Sequence, residues 1–326
     1  MERRPKPLEG ITVLDLTRLL PGGLCTQHLA DMGAEVIKVE DTGAGDYART
    51  LGALKTEMSP FYHSTNRNKK SITLDLSKEE GVKLFLKMAE KADIVIEGFR
   101  PGVVDRLGVG FEAVKAVNKG IVYCSLSGYG QTGPWRLKAG HDLNYLSISG
   151  IADQVGNRGE APPLNNFQVA DLAGGTLSAA MGILAAVIDK LRTGEGRYVD
   201  ISMTDCAFAH TIAPMAALST FGKTPERGAD MLTGGLPCYS IYETKDGRYM
   251  GVGSLEKKFW EMTCDAIGRP DLKPKHFIAG QEAIDVKTEV AEVFKAKTQG
   301  EWVEVFKDCD SCVTPILNLE EAMSQE

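Results

Sequence analysis

Short apolar runs and amphipathic stretches alternate through the first half of the chain. "ITVLDL" is followed by "LCTQHLADMG", "AEVIKVE" by a polar loop leading to "SITLDL", and "SKEEGVKLFLKMAEKA" by "DIVIEGF", "FEAVKAVNKG" and "IVYCSLSG". This βαβ order predicts an α/β fold with a mainly parallel sheet covered by helices, and such sheets meet ligands at the carboxyl ends of their strands. Ser77 and Glu80 have capping-box spacing and predict a helix start at Ser77. After Gly150 the pattern changes to a loop, a long helix in "DLAGGTLSAAMGILAAVIDKLRTG", the strand "RYVDISM" and a helical stretch through "APMAALSTFG". A Gly/Pro-containing linker at 223–236 separates a large domain, 1–222, from a small one, 237–326. In the small domain "CYSIYETKDGRYMGVGS" reads as a hairpin turning at Lys245-Asp246-Gly247, with helices from there to the end.

Composition narrows the partners. With 326 residues, 43% hydrophobic and 25% charged, the chain is long enough for two cores. A net charge of -7 offers no general attraction to polyanions, so nucleic acid is excluded as a partner and any anionic ligand must be met by local basic groups. The beginning, "MERRPKPLEG", lacks the apolar core of a secretory leader, and the seven cysteines are scattered, so a reducing cytoplasm is expected. "LSAAMGILAAVIDKL" meets a charge before reaching membrane length and is read as a buried helix, with no membrane partner. Cys309 and Cys312 have CxxC spacing, but no second pair accompanies them, and no metal site is assigned.

Several segments could carry chemistry. "VLDLTRLLPGGLCTQHLADMG", closed by Glu40 and Asp41, imitates a dinucleotide-binding unit, but Gly22 and Gly23 are adjacent and the third glycine is missing. Arg67, Lys69 and Lys70 could clamp phosphates or form a solvated basic turn. Arg100 and Arg106 follow the strand "DIVIEGF", where an anionic ligand would be met. Asp171 precedes Gly174 and Gly175 at a helix start; it reads either as a cap or as an acid-base group beside a backbone that stabilises an enolate oxygen. His141 is open to a structural role or to proton transfer, for which imidazole is suited at neutral pH.

Together these segments resemble the class III (formyl-CoA transferase-like) CoA-transferase family, through "GITVLDLTRLLPGG", "DMGAEVIKVE", "NRNKKSITLDL", "GFRPGVVDRLG", "LSGYGQTGP", "GHDLNYLSISG", "DLAGGT", "GEGRYVDISM" and "DGRYMGVGSLEKKFW". Gly140-His141-Asp142 stands where the transferases typically carry Ala-Tyr-Asp, so within the family the chain is similar to the α-methylacyl-CoA racemases. The resemblance implies a Rossmann-like large domain, a smaller α+β domain and an interlocked homodimer acting on an acyl-CoA thioester. It implies that His141 and Asp171 are acid-base groups on opposite faces of the α-carbon, with Glu256 of the other subunit near the histidine. Arg18, Arg67, Asn68, Lys69, Gly98, Phe99, Arg100, Arg106, Leu107 and Gly108 would hold the adenosine and phosphates of CoA. Asp142 and Tyr145 would lie beside the thioester, and Gly174 and Gly175 near the enolate oxygen. No metal or cofactor is implied, since CoA belongs to the substrate. Relatives usually continue past "NLEEAMSQE" and return to the large domain. Transferases of the family use the matching aspartate as nucleophile, so an aspartyl-CoA thioester on Asp171 is the alternative, and non-catalytic acyl-CoA binding is a third; the acyl group is open.

Overall fold

A computed structural model describes residues 4–52 and 58–325. Six strands, β1 (Thr12–Leu16), β2 (Glu35–Glu40), β3 (Lys70–Thr73), β4 (Ile94–Glu97), β5 (Val122–Ser127) and β6 (Tyr198–Ser202), form one sheet in the order β3-β2-β1-β4-β5-β6. Every neighbouring pair is parallel. The chain winds outward from β1 through β3, then restarts at β4 on the other side of β1. This reversal opens a crevice past the carboxyl ends of β1 and β4.

The two-residue period of the strands divides the core into two layers. Val13, Ile94, Ile96, Val122, Cys124 and Leu126 face one side, against the helix Leu19–Asp31 and the helix Ser178–Thr193. Leu14, Leu16, Val95 and Tyr123 face the other, with Phe85, Ala89 and Val114 from the helices Glu79–Ala89 and Phe111–Val117. Ala179, Ala180, Ile183, Ala186 and Val187 recur at helical spacing and carry the buried face of Ser178–Thr193. With the turn before it this helix runs from Ala170 to Thr193, longer than the apolar run read from sequence, and among the described residues it is the one helix long and apolar enough to cross a membrane. Its inward face is nonetheless taken up by β5 and β6.

Local starts differ from the sequence reading in instructive ways. Ser77 does not cap: its hydroxyl donates to Asp75 Oδ1 at 2.6 Å, and the helix begins at Glu79 behind Lys78. Asp75 accepts from both the N–H and the hydroxyl of Ser77, and this local turn outcompetes the capping box. Pro21, Gly22 and Gly23 lie inside the helix Leu19–Asp31 rather than in a loop. Proline is tolerated in a first helical turn because its missing N–H has no partner there. Gly22 is required because a Cβ would collide with the Thr17 side chain. Asp171 does not cap either; it is the second residue of a π-helix, Ala170–Leu177, whose N-cap is Val169.

The chain divides into two compact units, Met1–Ala152 with Leu164–Ile212, and Asp153–Pro163 with Ala213–Glu326. The division therefore falls after Ile212, the first residue of the helix Ile212–Phe221, and not in the linker 223–236, and the loop 153–163 belongs with the second unit. Arg227 accounts for the loop's allegiance, since its Nε donates to the Asp153 carbonyl at 2.8 Å and its Nη2 to the Asp153 carboxylate at 2.8 Å. In the second unit β7 (Tyr239–Glu243) and β8 (Tyr249–Gly253) form the expected hairpin, with Gly247 at φ 72 in its turn. A third strand, β9 (Val313–Pro315), pairs antiparallel with β8 in a stretch expected to be helical. Trp260, Phe294 and Trp302 are buried beneath this sheet.

Candidate active site

A cavity of about 800 Å³ lies past the carboxyl ends of β1, β4 and β5. Its walls are Thr17–Gly22 after β1, Gly98–Pro101 after β4, Leu126–Tyr129 at the end of β5, and the segment carrying Gly140, His141 and Tyr145. Asp171 completes it. The cavity thus occupies the crevice that the strand order creates, and residues thirty positions apart in sequence share it. The second unit carries a groove of about 890 Å³ against the exposed face of β7, β8 and β9. It contains Lys287, Glu292, Lys295 and Cys312 but neither member of the His/Asp pair, so the smaller cavity is the candidate for proton chemistry.

His141 is exposed and stands at the N-cap of the helix Asp142–Ile148, where its backbone N–H donates to Asn144 Oδ1 at 3.0 Å. Gly140 before it has to be glycine, because a Cβ would enter the rings of Tyr129 and Tyr145. Tyr145 donates to the Gly140 carbonyl at 2.6 Å, and burial together with the Asp171 charge pushes its phenol up to about 12. Tyr145 therefore shapes the turn that presents His141. Asp142 reaches the other partner: its Oδ1 accepts the backbone N–H of Asp171 at 3.0 Å. Asp171 is partly buried, and burial, reinforced by the Asp142 carboxylate, pushes its carboxyl up to about 7. Both protonation states of Asp171 are then populated near neutral pH.

Of the residues expected to hold CoA, Arg18, Gly98, Phe99 and Arg100 line the cavity, and of the two expected beside the thioester Tyr145 lines it and Asp142 does not. Arg67, Asn68 and Lys69 do not. Arg67 and Asn68 both bind Asp31, and the Lys69 side chain is buried, with Nζ 3.2 Å from Asp15 and 2.7 Å from the Gly23 carbonyl. The protein's own carboxylates occupy the cluster read as a phosphate clamp. Arg106, Leu107 and Gly108 also fall outside the lining; Arg106 ends the short helix Val103–Arg106 and Leu107 packs on the core. Gly174 and Gly175 are buried within the π-helix, where a Cβ would meet the Met203 carbonyl and Ala207 at Gly174, and Pro21 and Met203 at Gly175. These glycines allow close helix packing rather than the approach of a ligand. Glu256 is exposed at the N-cap of the helix Lys257–Ala266 in the second unit.

Sequence reasoning missed Arg136 and Lys138, which line the cavity and form no ion pair among the described residues. Their signal was present as two cations within "PWRLKAGHD", directly before His141. With Arg18 and Arg100 they give an acidic protein a locally basic cavity. Glu97 was missed as well: buried at the end of β4, it accepts the Phe99 N–H at 2.7 Å, and burial pushes its carboxyl up to about 7. Among the described residues no cluster of histidine, cysteine and carboxylate side chains could hold a metal ion, and Cys309 and Cys312 are free thiols.

Residues 8–326 match the model of CoA-transferase family III. The chain belongs to that family. It is 35% identical over 322 residues to the alpha-methylacyl-CoA racemase of Homo sapiens, covering 98% of this chain and 80% of that one. It is 34% identical over 328 residues to the succinyl-CoA:glutarate CoA-transferase of Homo sapiens, covering 98% of this chain and 74% of that one. The crystal structure of a CAIB/BAIF family protein from Brucella suis superposes with a TM-score of 0.86 at 28% identity, covering 99% of this chain and 87% of that one. The chain is thus similar both to a protein named as a racemase and to one named as a CoA-transferase.

Proposed function

We propose that the protein is an α-methylacyl-CoA racemase, interconverting R and S 2-methylacyl-CoA thioesters by 1,1-proton transfer. The observation that carries this reading is the pairing, in one basic cavity, of His141 with an aspartate whose carboxyl is pushed up to about 7. A thioester acidifies its α-hydrogen. One group removes it as base, leaving an enolate, and the other returns a proton to the opposite face as acid. His141 is the expected base for the S substrate and Asp171 for the R substrate. The racemase similarity and the histidine following Gly140 support the assignment.

Arg18, Arg100, Arg136 and Lys138 would meet the phosphates of CoA, and no cofactor beyond the substrate's own CoA enters the proposal. The proposed assembly is an interlocked homodimer in which Glu256 of one subunit approaches His141 of the other. Seven free cysteines are in keeping with a reducing cytoplasm.

Deuterium wash-in at the α-carbon of a 2-methylacyl-CoA in D2O tests the reading. Wild type should exchange and racemise; His141→Ala and Asp171→Ala should lose racemisation by at least about a hundredfold, in line with typical acid-base contributions. No exchange by wild type overturns it. The similarity to the succinyl-CoA:glutarate CoA-transferase favours a second reading. There the Asp171 carboxylate would attack the thioester carbonyl and expel CoA as thiolate, giving a mixed anhydride; the thiolate would then attack the aspartyl carbonyl and release the free acid. A hydroxylamine-trappable adduct on Asp171, without α-proton exchange, would select that reading.

A further inference from the structure

Lys38 lies within β2 with only 1% of its surface exposed, and a buried ammonium persists only where partners satisfy it. The sheet register sets it directly beside Asp15 of β1. Its Nζ donates to the Thr17 carbonyl at 2.8 Å and stands 3.0 Å from Asp46 Oδ2. Asp46 is equally buried, and its other oxygen takes the backbone N–H of Ala48 at 2.9 Å and of Leu19 at 3.3 Å. Thr17 is fixed in turn, since its N–H and hydroxyl both donate to Asp15 Oδ1. One cation and two carboxylates thereby fasten Thr17–Leu19 from beneath.

The fastened turn is strained and forms a wall of the cavity. Leu19 has φ 58, in the left-handed region that a branched apolar residue rarely adopts. Arg18, just before it, is extended, with its guanidinium 5.3 Å from the Phe99 ring centroid and Nη2 3.1 Å from Asp41. Thr17, Arg18, Leu19 and Leu20 all line the cavity. Buried ion pairs can often be replaced by apolar side chains without loss of stability, so core stability alone does not account for a charge at this position.

We propose that Lys38 is a positioning residue: its buried ammonium, with Asp46, holds the β1-to-helix turn in the conformation that presents Arg18 to the CoA portion of the substrate. The inference rests on the reading of the cavity as a CoA-thioester site. Calorimetric titration of the full chain with free CoA tests it in a double-mutant cycle of Lys38→Met and Arg18→Ala. Lys38→Met should weaken CoA about tenfold in the wild-type background and less than about twofold in the Arg18→Ala background, because residues acting through one another are not additive. α-Proton exchange at saturating thioester should fall less than about threefold, placing the loss in KM rather than kcat.

Unchanged CoA affinity in Lys38→Met, or a loss of the same size in both backgrounds, overturns the inference. If Lys38→Met does not melt cooperatively, Asp46→Asn takes its place in the same cycle under the same criteria. Failure of the wild type to bind CoA overturns the cavity reading itself, and the inference with it.

Discussion

Asp171 shows how one carboxyl can be valuable to chemistry and costly to the fold. Its ordinary value of 3.8 is raised to about 7 by burial first and by Asp142 second. Well below pH 4, by about pH 3, the group is mostly protonated in both folded and unfolded chains and contributes little difference. Between pH 4 and 7 the unfolded chain ionises while the folded one holds its proton, so stability falls as pH rises, and above pH 7 the loss is constant. A neutral isostere removes that loss. Asp171→Asn should therefore leave stability nearly unchanged at about pH 3 and raise it at pH 8 by up to about 4 kcal/mol, while proton exchange is lost; urea melts at the two pH values measure it. Equal melts at pH 8 would refute the assignment of a raised carboxyl. From the residues alone His141 and Asp171 were each open to a structural role, and only the family resemblance paired them; the fold brings both to the lining of one cavity. The fate of Arg67 and Lys69 was not legible, because Asp31 and Asp15 reach them only once β1, β3 and the intervening helix have come together.

At the scale of elements, the six parallel strands were legible because their apolar runs must fill two core layers, and little else in the sequence competes with that demand. Helix starts were less legible: Asp75 captures Ser77 through a contact that capping-box spacing does not encode. β9 was missed because three residues give no period to read. The π-helix holding Asp171 has a similar lesson, since its glycines suggested a ligand and instead admit Met203 and Ala207. The two glycines should differ on substitution. Gly174→Ala meets the Met203 carbonyl, which cannot move alone, and should cost about 2 to 3 kcal/mol; Gly175→Ala meets the Met203 side chain and Pro21, which leave more room to adjust, and should cost about 1 kcal/mol. Denaturant midpoints of the two variants check the order, and a milder effect at Gly174 would contradict the packing role.

For the whole molecule, the proposal assigns Glu256, carried by the second unit, to chemistry whose proposed His/Asp pair is carried by the first. Here sequence pattern gave least help: the loop 153–163 belongs with the second unit, where Arg227 binds Asp153 across a long stretch of chain that Gly/Pro content does not reveal. The proposed interlocked homodimer makes a quantitative prediction about subunit mixing. In a hybrid of a His141→Ala subunit and a Glu256→Ala subunit, the first still supplies Glu256 and the second still supplies His141. If each site takes its histidine from one chain and its glutamate from the other, one site of every hybrid is intact and its companion carries both lesions. Random reassortment makes half of the dimers hybrids, so two inactive variants unfolded and refolded together should recover roughly a quarter of wild-type exchange activity. If both residues of a site came from a single chain, each site of the hybrid would carry one lesion and mixing would recover nothing. Exchange in D2O after co-refolding, compared with each variant refolded alone, separates the two arrangements.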